Sequence, residues 1–201
     1  MAGKFLNRLM AWGSLSLVLA LQPSQALAQS TGEEAAEALL RKLPFLSEST
    51  DAVPSPDGRY TLKIAGPTGS HRLVAEIAKS KKTVDLMPVH RSVAVSWRPD
   101  GKLFFVNLTR GENVANCDIF DPSAKRPLIL SLGNEAGRKL GLTSADELDD
   151  IARFRLSCVS WNGPDQVEVV IWWRDAVARE RSEFHNRRLL YHLKTQQFAR
   201  L

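Results

Sequence analysis

Over much of the chain apolar and polar residues alternate one for one, the period of a strand with one buried face. Tyr60, Leu62 and Ile64 alternate with Thr61 and Lys63, and Phe154, Leu156 and Cys158 with Arg155 and Ser157. Val167, Val169, Ile171 and Trp173 stand on one side of a further run that carries Glu168 and Val170 on the other. The best-formed stretch is 93–107, where two β-rich runs flank Pro99-Asp100-Gly101 and the first run ends in Trp97. It predicts a hairpin, because proline presets φ, aspartate bonds the backbone two residues on, and glycine accepts positive φ. Strands are also predicted at 59–65, 72–78, 83–87, 114–120, 127–132, 153–161, 166–173 and 187–193, with 196–201 beside the last.

Helical spacing interrupts this pattern in two places. At 30–43, Ala36, Leu39, Leu40 and Leu43 form an apolar stripe, Ser30 or Thr31 can cap the start, and Pro44 ends the run. At 133–152 a helical insertion is predicted between strands, with a turn or two over 134–140. Ser144 and Glu147 then form a capping box for a second short helix.

The hairpin turn is repeated. Ser55-Pro56-Asp57-Gly58 matches Arg98-Pro99-Asp100-Gly101, and Trp161-Asn162-Gly163-Pro164-Asp165 is a looser third copy with one extra residue after the tryptophan. The first two copies lie about 40 residues apart, and the third is displaced by roughly the length of the helical insertion. Through Ser55-Pro56-Asp57-Gly58-Arg59-Tyr60 and Trp97-Arg98-Pro99-Asp100-Gly101-Lys102 the chain resembles the TolB-like β-propeller repeats of exported bacterial proteins. That resemblance implies four-stranded blades and a protein-interaction platform, and it carries no catalytic residue. The expected fold is therefore mainly β, with antiparallel propeller-blade-like repeats, an N-terminal helix and a short helical insertion. Two or three blades are too few for a ring, so an open stack, a small sandwich or assembly between chains is expected.

The first 28 residues change the picture of compartment. Lys4 and Arg8 precede a charge-free apolar run at 9–21, followed by Pro23 and the small-residue site Ala26-Leu27-Ala28. This is the three-part pattern of a secretory signal peptide, cleaved before Gln29, and the apolar run is shorter than the roughly 20 residues of a membrane-spanning helix. The expected organisation is a signal peptide at 1–28, a helix and linker at 29–50, and a β-repeat domain at 51–201. A periplasmic or secreted chain without a stable membrane span after cleavage follows. Its two cysteines, Cys117 and Cys158, are expected to form one disulfide, with two buried free thiols as the alternative. Of 27 basic residues two leave with the leader and 22 acidic ones oppose the rest, so charge does not point to nucleic acid.

Candidate chemistry is sparse. His71, His90, His185 and His192 show no metal-ligand spacing, no nucleophile or nucleotide motif is present, and no cofactor is called for. The unusual polar cluster is Asn107, Arg110, Asn116 and Asp118, with Glu112, Asn113 and Cys117 among them. Asn and Asp are poor strand formers, so their place in mid-strand needs a reason. One reading is a binding site for a polar ligand or partner. The other is a set of side chains bonding nearby loop backbone. Asn107-Leu108-Thr109 also matches a glycosylation sequon. A second cluster, Arg174, Arg179, Arg181, Arg187 and Arg188 beside Trp172 and Trp173, could take an anionic polymer, but Asp175, Glu180 and Glu183 interrupt it and favour a salt-bridged loop. The sequence reading is an exported, non-catalytic binding or interaction module whose partner is an unknown envelope protein. An envelope enzyme or enzyme inhibitor without a recognisable motif is the alternative.

Overall fold

The computed structural model describes residues 38–47, 51–67, 69–90, 92–110, 114–139, 155–174 and 184–201. The predicted leader, the first helix before residue 38 and the second helix of the insertion lie outside the described residues. Thirteen strands are described: β1 Phe45–Leu46, β2 Ala52–Pro54, β3 Tyr60–Ala65, β4 Arg72–Ile77, β5 Thr83–Pro88, β6 Val93–Trp97, β7 Phe104–Arg110, β8 Val114–Phe120, β9 Leu128–Ser131, β10 Arg155–Trp161, β11 Gln166–Arg174, β12 Phe184–His192 and β13 Gln197–Arg200. One helix, Leu132–Lys139, follows β9 directly.

The strands form three antiparallel four-stranded meanders. β2–β5 make the first unit, β6–β9 the second and β10–β13 the third. β1 adds to the free side of β6. A parallel rung, Ala115 opposite Arg155, joins the second and third units into one nine-stranded sheet. Among the described residues no strand pairing links the first unit to the third, so the sheets do not close. The mainly β, blade-like architecture expected from the alternation is present.

The central strands carry apolar side chains on both faces, and this explains the stacking. One side of β6, β7 and β8 sends Val93, Val95, Trp97, Phe104, Val106, Leu108 and Phe120 toward Leu62, Ile64, Leu73 and Ala75 of the first unit. The opposite side sends Ala94, Phe105, Cys117 and Ile119 toward Leu156, Cys158, Val167, Val169, Ile171 and Tyr191 of the third. The middle unit is thus buried on both faces. The outer side of the first unit carries cross-strand ion pairs, Lys63 with Glu76 at 2.9 Å and Arg72 with Asp85 at 2.6 Å, as befits a solvated face.

Each unit is pinned to the one before it by a tryptophan. The indole N–H of Trp97 donates to the carbonyl of Val53 at 3.1 Å, and that of Trp161 donates to the carbonyl of Ser96 at 3.1 Å. Val53 and Ser96 hold equivalent places in the repeat, four residues before the turn aspartate, so the same bond is made twice. The first unit has Pro54 where the second has Trp97 and cannot make the bond. The turns dock as well. Gly101 has φ +72°, and a Cβ there would lie 2.5 Å from the Asp57 carboxyl carbon, so glycine is needed both for conformation and for the approach of the first turn. Arg98 forks onto Asp100 and also donates to the carbonyl of Pro164 at 2.7 Å, with its guanidinium 6.0 Å from the Trp161 ring centre.

Candidate functional site

The polar cluster singled out in the sequence divides into two structural devices. Asn107 is buried in β7, and its side-chain amide takes the place of a strand neighbour. Its Nδ2 donates to the carbonyl of Cys158 at 2.8 Å, and its Oδ1 accepts from the Cys158 N–H at 2.8 Å. Beside it, Cys117 and Cys158 form a disulfide with Cα atoms 5.8 Å apart and a sequence separation of 41. Both sulfurs are fully buried in the core between the second and third units. The glycosylation motif at Asn107 therefore falls on a residue whose amide is engaged inside the protein.

Asn116 and Asp118 stand on the other side of β8 from Cys117, because successive residues of a strand face opposite ways. The Asn116 Nδ2 donates to Asp118 Oδ1 at 3.0 Å and to the Ser131 hydroxyl at 2.9 Å. Its Oδ1 accepts from the Gly133 N–H at 2.7 Å, one of the four N–H groups left over at the start of a helix. A Cβ on Gly133 would lie 2.3 Å from that oxygen, so glycine permits the contact. Asp118 is buried. Of Arg110 the backbone alone is described, at the end of β7. Asn107 and Asn116 thus point to different partners, Asn107 to the third unit and Asn116 to the end of β9.

What Asn116 holds in place is an edge. Among the described residues β9 pairs on one side, with β8. Its register places Leu130 opposite Ile119 and Leu128 opposite Phe120, which leaves Ile129 as the extra residue of a bulge. Leu128 and Ile129 are 50% and 52% exposed, adjacent apolar side chains turned to solvent at the rim of the middle unit. The sequence reading placed a strand here but gave it no role. The available signal was Leu128-Ile129-Leu130, three apolar residues in a row, a run that β6 and β7 also show.

Two of the turns hold carboxylates whose ionised form is favoured. Ser55 donates its hydroxyl to Asp57 at 2.7 Å, and this bond, helped by the backbone and guanidinium of Arg59, holds the Asp57 carboxyl down at about 2. Arg98 likewise lowers Asp100 below the ordinary carboxylate value. Of the basic cluster near the end of the chain, Arg188 is described, and it pairs with the buried Glu168, which also accepts from the Ser160 hydroxyl at 2.9 Å. Among the described residues no group of three or more His, Cys, Asp or Glu side chains could hold a metal ion. None of the described helices is long and apolar enough to cross a membrane.

Neither protein-family models nor curated proteins match the chain. Among solved structures it is similar to the crystal structure of TolB from Acinetobacter baumannii, with 14% identity and a TM-score of 0.41 over 79% of this chain. The chain spans about a third of that protein, matching 32% of it. A likeness this distant leaves the architecture to rest on the strand pairings and repeated tryptophan bonds of the chain itself.

Proposed function

We propose that this is an exported, non-catalytic interaction module of the cell envelope that receives an extended segment of a partner protein along β9. The observation that carries this reading is the combination at β9 of one-sided pairing and two adjacent exposed apolar side chains. An unpaired edge supplies backbone donors and acceptors to an incoming strand, and Leu128 and Ile129 supply apolar contact for its side chains. Solvent-facing edges are ordinarily blunted by charge or proline, because they invite strand addition. This one has neither between Leu128 and Ser131; it carries only the bulge at Ile129, with Pro127 just before it. Asn116 and Asp118 contribute by position, fixing the end of β9 to β8 and to the helix behind it. Export is supported by the leader pattern at 1–28 and by a disulfide, which persists in an oxidising compartment.

The test is capture from envelope extract by the purified mature protein, with Ile129→Arg as the comparison. The charge is placed on an exposed side chain, so circular dichroism and the melting temperature should be unchanged while the captured partner falls by about tenfold or more. Equal capture by the two proteins would remove β9 from the proposal.

A further inference from the structure

The segment 38–47 touches all three units in turn. Leu39 and Leu40, both within residues 38–40 of helical backbone, pack on Val159 and Val170 at the outer side of the third unit. Leu40 and the buried Leu43 then reach the core between the third and second units. Pro44 offers its carbonyl to the Val95 N–H at 3.0 Å. Phe45 and Leu46 pair with Ala94 and Val93 of β6. Leu46, fully buried, ends the path in the core between the second and first units. Within ten residues the chain enters each of the three apolar clusters.

We propose that residues 38–47 act as a clasp that closes the open stack, and that Val159 and Val170 form a docking face whose occupant is the clasp's own Leu39-Leu40 pair. Three facts support this assignment. In a ring each unit would be covered by a neighbour on both sides, whereas here the first and third units share no strand pairing among the described residues. The outer side of the first unit carries two cross-strand ion pairs, with a single buried apolar residue, Val74, among them. The outer side of the third unit instead carries Val159, 3% exposed, and Val170, 1% exposed, in one cluster with the clasp leucines. A second copy of the chain does not fit the same place by the repeat's own rule, since its first unit has Pro54 in place of the pinning tryptophan.

A clasp differs from an ordinary packed segment in a measurable way. Its release should loosen two distant places together, the β10–β11 pair under Leu39 and Leu40 and the β6 edge under Pro44. Hydrogen exchange on the full mature chain reads both. In Leu39→Ala/Leu40→Ala, amides of 93–97 and of 155–161 and 166–171 should exchange faster by a similar factor, about tenfold or more, while those of β3 and β4 keep their wild-type rates. Acceleration in one of the two places alone, in neither, or equally in β3 and β4 would overturn the proposal. A more disruptive substitution, Leu43→Asp, should give the same pattern with larger factors. The same adverse results there would count against the clasp in the same way.

Discussion

The two interfaces of the middle unit are built from the same repeat and held by different chemistry. Toward the first unit the contact is aromatic. Tyr60 of the first unit lies 6.4 Å from Trp97 between ring centres, and behind that contact, within the middle unit, Phe104 lies 4.7 Å from Trp97 and stacks on Phe120 at 5.3 Å. Toward the third unit, among the described residues, one ring pair likewise crosses, Phe105 with Trp161 at 5.8 Å, without a file of rings behind it. The space is taken by a disulfide and by an amide bonded to backbone on both sides. The difference follows from connection. The first and second units are joined by the short stretch between β5 and β6, so apolar burial need only align them. The third unit returns after a long insertion, and a covalent tie offsets the larger loss of chain freedom.

The comparison can be broken most strongly at the sulfurs. Cys117→Ala/Cys158→Ala should lower stability by about 4 kcal/mol, given a loop of this length. The loss should appear in urea unfolding as early melting of the third unit, with the first two retaining exchange protection. A single unfolding transition with no early loss would show that the disulfide does not serve this interface in particular. Asn107→Ala comes next, at about 3 kcal/mol, because it leaves the buried N–H and carbonyl of Cys158 without their partner. The same substitution also tests whether the sequon matters, since a change in stability with a mass change of the side chain alone, and no glycan lost, would assign the residue to the fold. The two pins offer the symmetrical case. Trp97→Phe and Trp161→Phe each remove one indole N–H and should cost about 1 kcal/mol apiece in chemical denaturation. Clearly unequal costs would mean that the repeated bond is not equivalent at the two interfaces.

The smallest expected effect is the dependence on acid. The Asp57 carboxyl is lowered from 3.8 to about 2 in the folded protein, first by the Ser55 hydroxyl and then by Arg59. Its ionised form is therefore favoured by folding, so its contribution is present above the unfolded value and lost as pH falls through the folded one. Asp57→Asn should flatten the acid limb of a stability profile within that window and leave the profile near neutrality parallel to wild type. An unchanged acid limb would show that other carboxylates carry it.

Much of this frame was legible from the residues, and the exceptions have a common cause. Alternation located β3, β10 and β11, since a half-buried strand shows period two whatever it packs against, while β7 and β8 showed only as β-rich runs. The repeated turn located the joints, because proline, aspartate and glycine act through local backbone geometry. Trp97 and Trp161 were visible as large apolar faces, but their indole bonds were not, as those depend on which carbonyl the preceding unit presents. Asn107 and Asn116 attracted attention as misfits in strands. Their separate destinations emerge from the packing of units far apart in sequence. The β9 edge was hidden for the same reason: that β9 pairs on one side among the described residues is a property of the stack, not of the segment.

The central claim is that the free rim of the middle unit, at β9, receives a partner strand. A photo-crosslinking residue placed at Ile129, with a control at Asp85 on the exposed β5 of the first unit, tests it in the intact envelope. The account predicts one discrete adduct from position 129, absent from position 85 and lost when Leu128 is also changed to Arg. No adduct at 129, or the same adduct from both positions, would contradict it.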